Sequence, residues 1–245
     1  MFWFLYDPLY LLVTLVGVAL TGWASWRVKS NFSRYSQVGV RSGMSGAEAA
    51  AAVCRAGGVT DVSIERHPGF LSDHYDPRAK ALRLSPAVYE GRSVASIAVA
   101  AHEAGHAIQD VVAYPALGMR SKLVPLANLG NRLWALPFMI GMLLAGGQSA
   151  AEGWGFGQQM MAVGILLFAG VILFQLVTLP VEFDASRRAK AVLAQAGIVQ
   201  TQEEAKGVGK VLDAAAMTYV AAAAAGLLQL LYLVMRLMAS QRERR

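Results

Sequence analysis

A mainly α membrane protein, with about four transmembrane helices and a small α+β cytoplasmic domain, is the fold class predicted by this 245-residue sequence. Three observations point there. Hydrophobic residues make up 56% of the chain and charged residues 16%, against about 25% charged in a soluble domain. Mean hydropathy is +0.43. Four long apolar runs alternate with polar stretches, and a spanning helix needs about 20 mostly apolar residues.

Taken in order, the first run is Leu9 to Trp26, without a charge. No basic stretch precedes it and no A-x-A site closes it, so it reads as a retained anchor (1–27) rather than a signal peptide. The polar segment 28–122 is the one candidate for a globular domain. Ser45-Gly-Ala-Glu48 is a capping box, and the alanine-rich helix it starts ends at Gly57-Gly58. "VSIER" (62–66) and "ALRLS" (81–85) alternate with period two, and turn-like "HPG" and "YDPRAK" lie between them. A β-hairpin or a three-stranded sheet is expected. Ser93 caps the next helix, "VASIAVAAHEAGHAIQDVV". Two spans follow within 123–181, joined by a loop near Gly146 to Gly155. "LPVEFDASRRAKAVLAQAG" then reads as a helix ended by Gly197, within a segment 182–213. The last span and a basic tail occupy 214–245.

Net charge is +6, but the basic residues sit beside the apolar runs. Arg27, Lys29, Arg34 and Arg41 follow the first, and Arg187, Arg188 and Lys190 follow the third. The positive-inside rule places both clusters in the cytoplasm, where anionic lipid explains them without nucleic acid. Four crossings put the tail "RLMASQRERR" outside, against that rule. Either the last run does not fully cross or the loop charges outvote the tail. The single Cys54 cannot form an internal disulfide and reads as a small buried side chain. "GWGFG" (153–157) lacks the strand of a phosphate loop, so no nucleotide is expected. The spans carry too few ionisable residues for a transporter.

The chemistry lies in "AVAAHEAGHAIQD" (98–110). His102 and His106, four apart on a helix, present both imidazoles on one face and can share one Zn²⁺. Glu103 is rotated by about 100° from His102. From there it can take the proton of a water acidified by the metal. Such polar groups on an apolar helix would cost energy without a role. Gly105 leaves room for another backbone or a substrate.

Catalytic zinc usually takes three protein ligands. A metzincin extension fails, because Gln109 and Val112 stand at its positions. The third ligand must share a membrane face with His102, so an even number of crossings separates them. Glu152 falls after one crossing; Glu182 and Asp184 fall after two, just past Pro180, where the third span is expected to leave the bilayer, and Glu203, Glu204 and Asp213 also pass but sit farther along. Glu182 is the expected ligand and Asp184 the runner-up. Glu182 could instead be an interfacial acid paired with Arg187 or Arg188. His74, Tyr75, Tyr219 and Arg187 are candidates to bind substrate or stabilise an oxyanion, and the strands offer an edge for an extended peptide.

On "LSDHYDPRAKALRLSPAVY" (71–89), "VAAHEAGHAIQD" (99–110), "TLPVEFDASRRA" (178–189) and "VLDAAAMTYVAA" (211–222), the chain resembles the bacterial membrane-bound neutral zinc metallopeptidases. That resemblance implies a membrane-embedded peptidase of gluzincin type, with one Zn²⁺ per chain in a bacterial inner membrane. The layout is also similar to heat-shock membrane proteases and CAAX-prenyl endopeptidases. Those carry HExxH, two spans and E-x-x-x-D. Their zinc-binding Glu corresponds to Glu182. Their Asp would fall at Ser186, where this chain departs; Asp184 is the substitute on offer for orienting a ligand.

The expected function is an integral-membrane zinc endopeptidase with a cytoplasmic active site. Its partners are the bilayer and a protein or peptide near it; oligomers and membrane partner proteins stay open. The alternatives are an intramembrane-cleaving zinc protease and a non-catalytic zinc scaffold, which would need a fourth protein ligand such as Asp184.

Overall fold

The structure is a computed structural model that describes residues 7–145 and 154–242. Glu152, most of the expected loop at 146–155 and the last three residues of the basic tail lie outside the described residues. The chain divides into two compact units, Trp23–Gly118 with Thr178–Tyr219, and Met1–Gly22 with Met119–Val177 and Val220–Arg245.

The first of these holds the polar segment. Helix α1 (Pro8–Ser36) ends within it, and α2 (Gly46–Ala56) follows. The Ser45 capping box is complete: the Ser45 side chain accepts from Glu48 N–H while the Glu48 carboxylate accepts from Ser45 N–H. Two of the helix's orphan amino-terminal donors are thereby satisfied. Gly58 takes φ 75° just past the helix end, a conformation that favours glycine.

Three short strands come next: β1 (Ser63–Arg66), β2 (His74–Asp76) and β3 (Ala81–Leu84). The sheet order is β1-β3-β2, with β1 parallel and β2 antiparallel to β3. The two segments recognised by alternation are thus not the arms of a hairpin. The hairpin is β2–β3, and its turn is set by Asp76, whose Oδ1 accepts from Arg78 and Ala79 N–H. An aspartate that bonds the backbone two residues on makes such a turn by itself. β2 escaped the sequence reading because it is three residues long inside a turn-rich stretch.

After α3 (Pro86–Tyr89), helix α4 (Val94–Val111) carries both motif histidines. Ser93 caps it, its side chain accepting from Ser96 N–H. The core of this unit gathers Val53, Leu82, Leu84, Ile97 and Ile108 with Leu193, Ile198 and Leu212. α4 is therefore covered on nearly every side, with fourteen of its eighteen residues buried. Cys54 lies in the same core, and burial pushes its thiol up to about 11. It stays protonated and chemically quiet near neutral pH.

In the other unit, α5 (Pro115–Leu133) and α6 (Ala135–Ala145) pack antiparallel on α7 (Phe156–Gln195). Glycines make the approach close: a Cβ on Gly130 would fall 2.5 Å from the Leu167 carbonyl oxygen, and one on Gly164 would fall 2.6 Å from that of Trp134. Small residues at such contacts are a habit of helices packed in membranes. The amino-terminal part of α1 runs antiparallel to the end of α8 (Gln202–Arg242). Asp7 accepts from the Tyr232 hydroxyl at 2.9 Å, the Tyr10 and Tyr232 rings are 5.4 Å apart, and Gly17 faces Ala225.

Among the described residues, three helices are long and apolar enough to cross a membrane: Pro8–Ser36, Phe156–Gln195 and Gln202–Ser240. The second expected span appears as the shorter apolar α6, its remaining residues lying outside the described part. α7 runs on through Pro180, where the third span is expected to leave the bilayer. An interior proline removes one backbone hydrogen bond and can be carried by a long helix at a kink.

Candidate metal centre

The site is built from α4 and the part of α7 just after its apolar stretch. His102 and His106 lie one turn apart on α4, with ring centroids 4.8 Å apart and planes at 81°. Glu182 faces them from α7. Its Oε2 is 3.1 Å from His102 Nε2 and 3.6 Å from His106 Nε2. One donor atom from each of the three residues lies within 4.8 Å of the other two. Glu182 is 2% exposed, so its carboxylate is held out of water. Its negative charge and that of Glu103 draw the His106 pKa above its ordinary value, against the opposing effect of burial. A buried pocket of this sign favours a cation.

α4 reaches α7 through Gly105. A Cβ there would lie 2.6 Å from the Ala185 carbonyl oxygen and 3.2 Å from its Cα. That neighbour is backbone and cannot swing aside. Gly105→Ala should therefore push the two ligand-bearing segments apart, lowering stability by roughly 1–3 kcal/mol and weakening metal binding. Thermal melting and a zinc titration of the variant check this; wild-type values in both would contradict so close an approach.

Both rings are anchored at their far nitrogens. His102 Nδ1 is 3.1 Å from Ser186 Oγ, and His106 Nδ1 is 3.0 Å from Gln109 Oε1. Gln109 is fully buried, and its amide nitrogen donates to the Val181 carbonyl at 2.8 Å and to Asp184 Oδ2 at 2.9 Å. Asp184 also accepts from Arg187 and, at 2.6 Å, from Arg188 Nε. Arg188 in turn lies over the Tyr114 ring, 5.9 Å from its centroid.

The arginines that might have neutralised Glu182 thus pair with Asp184. Asp184, the runner-up ligand, is absent from the donor cluster because both its oxygens are engaged elsewhere. Ser186 contacts His102 directly; Arg187 reaches the site through Asp184. His74 is not part of the cluster: its Nδ1 faces the Ser72 carbonyl at 2.8 Å and its ring packs on His67. Tyr75 donates to Asp110 Oδ2 at 2.7 Å, and Lys80 reaches the same oxygen at 2.6 Å. Burial and the Asp110 charge hold the Tyr75 phenol above its usual pKa, so it stays a donor. This pair fastens the β2–β3 hairpin to the end of α4.

Sequence reasoning met Gln109 only as the residue that breaks a metzincin pattern. One signal was there: a polar amide three residues after His106, on the same helix face, in an otherwise apolar helix.

The donor set suits zinc. Two imidazoles and one carboxylate is an established catalytic zinc combination, and each imidazole has the oxygen partner that metal-bound histidines need on their other nitrogen.

Residues 10–238 match the family described as "Putative neutral zinc metallopeptidase". The chain belongs to this family. It is also 44% identical over 227 residues to the "Putative membrane protease YugP" of Bacillus subtilis (strain 168), covering 93% of this chain and 96% of that one. No solved structure matches. Zinc is accordingly the metal of the family, and His102, His106 and Glu182 form the cluster able to hold it.

Proposed function

We propose that this family member is an integral-membrane zinc endopeptidase that hydrolyses peptide bonds of membrane or membrane-proximal proteins. The observation that carries the reading is the convergence of His102, His106 and Glu182 donor atoms in a buried pocket beside Glu103. A zinc ion held there supplies a Lewis acid for the scissile carbonyl and an acidified water. Glu103 accepts the proton of the attacking water and returns it to the departing amine. Ser186 and Gln109 hold the imidazoles so that their Nε2 atoms meet. The outer edge of β2 is unpaired by any strand among the described residues, and an extended substrate could add to it through backbone hydrogen bonds.

Four crossings, with the site at the cytoplasmic surface of a bacterial inner membrane, are part of this reading. Three long apolar helices and a shorter one support it, as do the arginines and lysines beside them. Cleavage within the bilayer is less well supported, because α4 is not among the helices long and apolar enough to cross. A closed zinc scaffold is disfavoured by the engagement of Asp184, the nearest candidate for a fourth ligand.

In liposomes, a peptide tethered to the bilayer by an apolar segment should be cut faster than the same peptide free in solution. Equal rates at matched bulk concentration would remove the membrane-proximal part of the proposal.

A further inference from the structure

The hydrogen bonds around Gln109 leave its amide only one orientation. The Val181 carbonyl and the Asp184 carboxylate can only accept, and both lie at hydrogen-bond distance from one end of the amide, 2.8 Å and 2.9 Å away. That end must be the NH₂ group. The oxygen therefore faces His106 Nδ1 at 3.0 Å, and an amide oxygen can only accept. His106 Nδ1 must therefore carry a proton, which makes Nε2, on the side of Glu182, the nitrogen available to a metal. The same amide is bonded on both sides of the third ligand, at Val181 and at Asp184. Arg187 and Arg188 keep Asp184 charged and in place.

We infer that Gln109 is the positioning residue of the metal centre: it fixes the tautomer of His106 and locks α4 to the turn of α7 that presents Glu182. Both ligands are set by one buried side chain. The inference rests on the zinc reading of the cluster. Residues that hold a metal-bound histidine by its other nitrogen typically contribute about 10–100-fold in affinity.

The test uses the full chain in detergent. Its zinc dissociation constant is read by competition with a chromogenic chelator, and its coordination geometry by the visible spectrum of the cobalt-substituted form. Gln109→Met should bind zinc about 10–100-fold more weakly and shift the cobalt bands. Gln109→Glu keeps an acceptor for Nδ1–H but sets an oxygen in place of the NH₂ group against the Val181 carbonyl and Asp184, so it should recover part of what Gln109→Met loses and bind zinc about 3–10-fold more weakly than wild type. Wild-type affinity and bands in Gln109→Met overturn the inference while leaving the metal site standing. Equal loss in both variants also overturns it, since packing rather than the acceptor would then matter. If circular dichroism shows that Gln109→Met does not fold, Gln109→Glu decides alone: a loss of about 3–10-fold supports the inference, and an unchanged affinity or a loss beyond about tenfold overturns it. Failure of the wild-type chain itself to bind zinc would remove the proposed site, and the inference with it.

Discussion

Glu103→Gln should abolish peptide cleavage while leaving zinc in place. The substitution keeps the size and hydrogen-bonding span of the side chain but removes the group that accepts a proton. Positioned acid–base groups contribute on the order of 10²–10⁴-fold to rate, so a loss of that size in kcat is expected. Glu103 is not one of the three clustered donors, and the variant should therefore keep one zinc per chain by metal analysis. The variant should also melt near the wild-type temperature. Retained activity would take Glu103 out of the proton-transfer role; loss of zinc together with activity would make it a ligand.

Glu182→Gln should fail in the opposite order, with metal first. A neutral amide in place of the one carboxylate of the cluster leaves two imidazoles to hold the ion. It also exchanges a charge buried to 2% exposure for an uncharged group. Zinc affinity should fall by more than about 100-fold, beyond the effect expected for residues that only orient a ligand, and activity should fall with it. Excess zinc should restore part of the activity if Glu103 is intact. The apo chain should also lose stability, because Glu182 pairs with both histidines and removing one partner of a buried pair leaves the other uncompensated. Competition with a chelator and an activity titration against zinc read both effects. Normal zinc affinity in this variant would return Asp184 to consideration as the ligand.

Much of the half of the molecule that carries the site was legible because its signals are local. Ser45 with Glu48, and Ser93 with Ser96, cap α2 and α4 where the sequence puts them. The spacing of His102 and His106 needs only helical geometry to place both rings on one face. Glu182 was reached by counting crossings, an argument about which side of a membrane a residue occupies rather than about a contact.

What stayed illegible depends on tertiary partners. The parallel pairing of β1 with β3 follows from β2, a strand of three residues with no periodicity to read. The sequence marks Pro180 as the place where a span leaves the bilayer; that α7 continues through it, at the loss of one backbone hydrogen bond, is seen only in the structure. The roles of Gln109, Asp184, Arg187 and Arg188 exist only once α4 meets α7. Before that, Asp184 stands only as the runner-up to Glu182, two residues away. In the structure one faces histidines and the other faces arginines and an amide.

The most direct test of the central claim is cleavage of an unstructured protein by the wild-type chain purified in detergent. The protein is assayed as isolated, after a chelator, and after zinc is returned. Cleavage that stops with the chelator and resumes with zinc is the predicted result. No cleavage from a chain that holds its zinc tightly, on soluble and membrane-tethered substrates alike, would contradict the peptidase account and favour a zinc site that serves structure.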